Sequence, residues 1–311
     1  MSAELISKRV DSLRDRARML AKARGFFFKR DVLEVDCPVL SQYACVDANI
    51  DLMPVIYNDS QRCYLHSSPE YGMKRLLAEG IGDIYQLCHV FRDGEFGDFH
   101  NPEFSMVEWY RHSLTYSEMM QEVIDFITLF LGEKETKKLS YIEAFESFLS
   151  IHPLKASIVD LQKLLKHYNI DQISNDRDEI LNFLMGSVLE KKLSGETLWL
   201  IYDYPASQAA LSKIEGDICK RFEVYYHGVE LANAYDELID YQEQKKRLDD
   251  ENCKREQLAK ARLPVDPNFL RALKTGLKPC KGVAVGFDRL MLLRQKAEKL
   301  REILPFSWES A

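Results

Sequence analysis

The sequence predicts an α+β fold, an antiparallel β-sheet flanked by helices. Three observations carry this expectation. Strands arrive as hairpins and meanders, as at about 83–92 with 103–111 and at 221–226 with 229–233, and not as alternating βα units. Helical periodicity opens the chain and fills its middle. The composition, 46% apolar and 29% charged over 311 residues, is that of an ordinary globular protein with enough chain to bury a core without staples.

Taking the elements in order, Leu5, Ile6, Val10, Leu13, Ala17 and Leu20 recur at helical spacing and predict a helix over about 4–30. Val32-Leu33-Glu34-Val35 reads as a short strand stopped by Pro38. Strands at 50–57 and 62–67 flank the turn Asn58-Asp59-Ser60. Ser68 at the N-cap and Pro69 at the first helical position open a helix to about Ala78. The 83–92 and 103–111 strands follow, joined by the polar loop Asp93–Asp98. Helices are expected at 116–132, 140–149, 158–168 and 177–193, a mostly helical insertion at about 115–195 in one catalytic domain spanning 1–311. Strand character returns at 197–202, and a hairpin turns at His227-Gly228. A charged helix over about 240–262 and a strand-to-helix unit at 282–290 complete the reading.

Composition narrows the function classes. With 42 basic and 49 acidic side chains the formal charge is 42 − 49 = −7, which disfavours broad nucleic-acid binding. The seven cysteines form no C-x-x-C pair, which argues against a zinc ribbon or disulfide framework and fits a reducing cytoplasm. The first twenty residues mix acids and bases without an apolar core, unlike a secretory signal. No run approaches the ~18 apolar residues of a membrane span.

Common nucleotide and hydrolase motifs are missing from the sequence: no G-x-x-x-x-G-K-[ST], no G-x-G-x-x-G after a strand, no G-x-S-x-G and no H-E-x-x-H. Three other segments place charge within apolar strands. Arg92 ends the strand Ile84–Val90, where a guanidinium can grip phosphate oxygens bidentately or simply reach water. Glu223 and Glu230 fold toward each other across the hairpin turn, as a Mg²⁺ pair or as two solvent-facing edge carboxylates. Gly286-Phe287-Asp288-Arg289 puts an arginine on the first turn of a helix, either facing an anion or packed at the surface beside a close strand–helix contact.

Together these segments resemble the three signatures of the class II aminoacyl-tRNA synthetases: Arg24-Gly25-Phe26 to Pro38, Phe91-Arg92 to Phe104, and Gly286-Phe287-Asp288-Arg289-Leu290. Ser68-Pro69-Glu70-Tyr71, Met73-Lys74-Arg75-Leu76, His100-Asn101-Pro102-Glu103-Phe104 and Arg221-Phe222-Glu223 with Gly228–Asn233 are similar to the lysine-specific branch. The catalytic pattern starts at once, with no N-terminal OB-fold that would read an anticodon. In this, and in Glu108-Trp109-Tyr110-Arg111 and Tyr204–Ala209, the chain looks like the truncated paralogues, the elongation factor P–lysine ligase family.

That resemblance implies an antiparallel sheet working as a homodimer. It implies ATP-dependent activation of (R)-β-lysine or lysine as the adenylate, then transfer to a lysine side chain of elongation factor P. Acting on tRNA as a minimal lysyl-tRNA synthetase and acting as a non-catalytic regulator are the alternatives. The resemblance also implies roles. Arg92 and Arg289 take the phosphates and count as catalytic. Asp93, Gly94, Glu95, His100, Asn101, Phe104, Glu230, Leu231 and Gly286 line the ATP site, with Phe104 facing adenine and Mg²⁺ on Glu223 and Glu230. Ser68, Glu70, Glu108, Tyr110, Asn233, Glu237 and Ala284 take the amino acid. Glu237 and Tyr110 match positions that hold its side-chain amine, and Glu70 and Ser68 positions near the other amine. One position departs from the pattern: Gly94 stands where the second signature carries a Glu, with Glu95 one residue later, and Ala234, where many relatives have Gly, is a smaller change. Ala284 stands where lysyl-tRNA synthetases have Gly and the ligases have Ala.

Overall fold

The computed structural model describes residues 3–43, 45–171 and 174–311, with side chains from residue 9 onward. In chain order it contains α1 (Ala3–Phe28), β1 (Leu33–Glu34), β2 (Leu40–Ser41), β3 (Pro54–Tyr57), β4 (Gln61–Leu65), α2 (Glu70–Ala78), β5 (Ile84–Phe91), β6 (Glu103–Arg111) and α3 (Tyr116–Leu131). Next come β7 (Glu135–Ser140), α4 (Tyr141–Leu149), α5 (Ile158–His167), α6 (Arg177–Leu184), α7 (Glu190–Lys192), β8 (Thr197–Pro205), β9 (Ile214–Glu215), β10 (Ile218–Tyr226) and β11 (Val229–Asp236). The chain ends with α8 (Tyr241–Gln257), α9 (Pro267–Gly276), β12 (Lys281–Gly286) and α10 (Phe287–Arg294). Two compact units result, one of Met1–Gly132 with Glu237–Ala311 and the other of Glu133–Asp236.

In the first unit β5 and β6 run antiparallel from Ile84↔Tyr110 to Phe91↔Glu103, and β12 pairs antiparallel with β6. β1 joins β5 in parallel. The 2.0-residue period of a strand then sorts side chains onto two faces. One face is aromatic. Tyr85 stacks on Phe27 of α1 at 4.1 Å, Trp109 meets Phe27 and Phe126 edgewise or tilted, and Phe130 meets Phe287 of α10. Helices α1, α3 and α10 owe their docking to this face. Residues 104, 106, 108 and 110 of β6 point the other way, beside 282, 284 and 286 of β12. A small antiparallel sheet, β2-β4-β3, completes the unit's strands.

Gln86 lies opposite Glu108 in the β5–β6 register. Its side-chain amide accepts from Cys37 N–H at 2.9 Å and donates to Cys37 C=O at 3.2 Å. A side chain thereby performs the pairing of a strand backbone just beyond β1.

In the second unit β10 is central, antiparallel to β8, β9 and β11, and β7 pairs with β8 in parallel. Helices α4, α5 and α6 pack a core of Tyr141, Phe145, Leu161, Leu165 and Leu184 against this sheet.

The α+β class holds, and most pairings are antiparallel as expected. The parallel β1–β5 and β7–β8 pairs make the strand pattern mixed. β7 falls between the helices expected at 116–132 and 140–149, where no strand was expected, because Glu135-Thr136-Lys137-Lys138-Leu139-Ser140 carries no apolar alternation. The 177–193 helix is interrupted by a π-helical turn at Met185–Leu189. Pro69, not Ser68, is the N-cap of α2, while Ser68 Oγ accepts from Glu70 N–H at 3.0 Å.

Candidate active site

Strand period and one helix face build a cluster of acids in the first unit. Glu108 and Tyr110 share the inward face of β6, and Glu70 and Lys74 lie one helical turn apart on α2. Glu237 is tethered through its N–H to Cys280 C=O at 3.0 Å, just ahead of β12. Lys74 Nζ sits 2.6 Å from Glu70 Oε1 and 2.6 Å from Glu237 Oε2, with its side chain wholly buried. Glu108 accepts from Ser68 Oγ and Tyr110 Oη, each at 2.6 Å. A Cβ added to Gly282 would stand 2.1 Å from Glu237 Oε1 and 2.4 Å from the Tyr110 ring, so only glycine leaves room for this pair. Ala284 is the next inward residue of β12, opposite Glu108.

Three carboxylates thus share one ammonium. Burial pushes Glu108 up to about 7, with Glu70 adding repulsion. Burial pushes Glu237 up to about 8, against the pull of Lys74. For Lys74 burial works downward, and its two glutamates outweigh it, so its ammonium is held charged. An acid cluster so short of positive charge is suited to a ligand that carries more than one cation.

The other end of the same face carries arginines. Arg92 follows β5 and stands over the Phe104 ring at 5.1 Å, so a base stacking there would share Phe104 with a guanidinium. Arg92 Nη1 lies 3.7 Å from Glu95 Oε1, and its Nε is buried without a hydrogen-bond partner among the described residues. Gly94 takes a φ of +76°, which turns the loop so that Glu95 comes to lie beside Arg92. Asp93 is exposed and donates its N–H to Asp51 C=O. Arg289 Nη2 meets His100 Nε2 at 2.9 Å, and burial together with Arg289 lowers the His100 pKa, which favours neutral imidazole. Asn101 is a brace: its amide donates to Glu103 C=O at 2.6 Å and accepts from Trp308 N–H at 3.0 Å. Gly286 caps α10, and an added Cβ would touch the Arg289 side chain at an ordinary 3.5 Å.

In the second unit a bulge between Val224 and Tyr225 leaves Leu231 as the extra residue and sets Glu230 opposite Tyr225. Glu223 stands opposite Asn233, two residues along. Glu223 is buried, contrary to an edge carboxylate facing solvent. Its Oε1 accepts from Arg221 and from Asn233 Nδ2 (3.1 Å), and its Oε2 from Tyr204 Oη (2.5 Å) and Tyr225 Oη. All four lone-pair positions of this carboxylate are taken. As it stands, Glu223 does not fit a metal ligand, and a cation there requires one donor to turn aside. Among the described residues no group of three or more His, Cys, Asp or Glu side chains is gathered as a metal site.

Lys74 belongs to the site without having been assigned a role from sequence, and Gly282, read there as a small residue that lets backbone approach a ligand, instead makes room for Glu237 and Tyr110. Lys74 sits within a motif run, but its bridging of two acids depends on where β12 arrives. Among the described residues no helix is long and apolar enough to cross a membrane.

The family model for tRNA synthetases class II (D, K and N) matches residues 5–310. The chain is 38% identical to the elongation factor P–(R)-β-lysine ligase of Pasteurella multocida, over 98% of this chain and 97% of that one. It is 40% identical to the ligase of that name from Salmonella gallinarum, over 98% and 97%, and 41% identical to that of Photorhabdus laumondii, over 97% and 96%.

Proposed function

The chain belongs to the class II tRNA synthetases (D, K and N) and, within them, to the elongation factor P–(R)-β-lysine ligase family, and we propose from this premise that it activates (R)-β-lysine with ATP and passes it to a lysine side chain of elongation factor P. The observation that carries the amino-acid half is the buried cluster of Glu70, Glu108 and Glu237 around Lys74. A diamino acid brings the two positive charges the cluster lacks. A substrate without the second ammonium would leave an acid buried and unpaired.

In the reaction the substrate carboxylate oxygen attacks the α-phosphorus of ATP. The new P–O bond makes the aminoacyl-adenylate, and the bond to the β,γ-phosphates breaks to release pyrophosphate. The acceptor's amine then forms an amide and AMP leaves. Arg92 neutralises charge that grows on the α-phosphate, and its unpartnered Nε is a donor ready for an oxygen. Arg289 binds the phosphate tail, and neutral His100 keeps a third positive charge from crowding the two arginines. Glu95, beside Arg92, takes the place of the acid that Gly94 lacks. Magnesium, when bound, would neutralise phosphate charge.

Incubation with ATP and labelled lysine or (R)-β-lysine, with either elongation factor P or total tRNA, tests this reading. Label on elongation factor P is the expected result. Label on tRNA, or no pyrophosphate exchange at all, overturns it.

A further inference from the structure

Away from the acids, a three-part contact in the first unit ties α1, β6 and α10 together. β12 pairs with β6 as far as Gly286↔Met106, and the chain then turns into α10. Ser105 of β6 lies one step past that end, and its N–H donates to Asp288 Oδ2 at 2.8 Å. A side chain thus carries on the pairing where the strand has stopped. Asp288 Oδ1 in turn meets Arg16 Nη1 of α1 at 2.5 Å, and Arg16 Nη2 donates to Ser105 Oγ at 2.7 Å. The Arg16 guanidinium also stands over the Phe287 ring at 5.0 Å. The ring so closed is buried, with the Asp288 side chain 3% exposed and that of Arg16 11%. The preceding residue of α1 holds the other end of α10: Asp15 accepts from Arg294 Nε at 2.8 Å and from Nη2 at 3.0 Å.

Two members of this ring have neighbours in the ATP site. Phe104 precedes Ser105 and, by the two-residue period of a strand, faces the opposite side of the sheet. Arg289 follows Asp288 on the first turn of α10 and meets His100 at 2.9 Å. β6 is laddered on both sides, to β5 and to β12, and the last turn of α10 is moored by Asp15. The first turn of α10 is therefore the part that Arg16 holds still. We infer that Arg16 is a positioning residue: from behind the sheet, through Asp288, it sets where Arg289 stands relative to Phe104, and so where the phosphate tail of ATP is gripped. The inference rests on the reading that Arg289 binds that tail.

The test is calorimetric binding of ATP, and of AMP, which lacks the tail, to the full-length wild type, Arg16→Ala, Arg289→Ala and the double variant. Arg16→Ala should weaken ATP binding about tenfold, the worth of one hydrogen bond to a charged group, and leave AMP within about twofold. On the Arg289→Ala background the same substitution should change ATP affinity by less than about twofold, because the group it positions is gone. Should Arg16→Ala fail to fold, Arg16→Lys keeps the charge but loses the fork that reaches both Asp288 and Ser105. It should weaken ATP and spare AMP in the same way. Equal losses of ATP and AMP, no loss of either, or a loss of ATP that persists undiminished on the Arg289→Ala background overturns the inference. A wild type that binds ATP no more tightly than AMP, together with an Arg289→Ala variant that binds ATP as the wild type does, overturns the reading of Arg289 instead.

Discussion

Gly282 makes room for Glu237: a single methyl at position 282 would stand 2.1 Å from Glu237 Oε1. No rotation of a flexible tip clears this collision, because the Tyr110 ring closes the other side at 2.4 Å. Gly282→Ala is expected to cost about 1–3 kcal/mol of stability through overpacking. Misplacing the acid by about 1 Å should also lower lysine-dependent ATP–pyrophosphate exchange at least ~100-fold. Denaturant titration and the exchange assay read these two effects separately, and a variant with wild-type exchange would show that Glu237 has no part in holding substrate.

Arg92 is buried at its Nε and paired only loosely with Glu95, at 3.7 Å. Arg92→Ala should lower the exchange rate by about 10²–10³ with little change in lysine affinity, because its charge matters most as negative charge develops. Equal rates for variant and wild type would remove it from the chemistry.

Ala284 lies opposite Glu108 in the β12–β6 register, so its methyl forms part of the wall beside the acids. Ala284→Gly should raise α-lysine use relative to (R)-β-lysine. A methyl in a pocket wall is worth about 1–3 kcal/mol, so a shift of about tenfold in relative kcat/KM is in range. An unchanged ratio of the two isomers would assign their discrimination elsewhere.

The acids also set a pH dependence of stability. Unfolded glutamates titrate near 4.5, whereas folded Glu108 and Glu237 hold protons up to about 7 and about 8. Between these values the folded chain binds protons that the unfolded chain has lost. The stabilisation from these two groups is complete below about pH 4.5 and is lost as pH rises through about 7 and 8. Ligand-free protein should therefore melt at lower temperature at pH 8.5 than at pH 6, and Glu237→Gln should flatten that slope. Calorimetric melting across this range checks it; the same slope in both proteins would mean that the carboxyl of Glu237 is ionised throughout.

Much of this was legible in the sequence because it depends on local chemistry. Alternation disclosed β5, β6, β10 and β11, and helical spacing disclosed α1, α3, α4 and α5. The same alternation put Glu108 and Tyr110 on one face. What was not legible depends on distant segments meeting. β7 lacks an apolar pattern and is held by its parallel partner β8. The steric need for Gly282 arises from Glu237 and Tyr110, neither of which is a neighbour in sequence. Likewise Glu223 has metal-binding spacing to Glu230, yet its oxygens are filled by Tyr204, Tyr225, Arg221 and Asn233, which only the fold gathers.

The amide of Gln86 has one further consequence. Because it grips both the N–H and the C=O of Cys37, it laces the segment leaving β1 onto the strand that lies beside Glu108. A tug on that segment is thus felt at the wall bearing the acids through these two hydrogen bonds, beyond the Val35 N–H to Tyr85 C=O bond at 2.8 Å. Gln86 is a latch between the early chain and the substrate pocket, and Gln86→Leu would unfasten it while leaving every acid in the sequence in place.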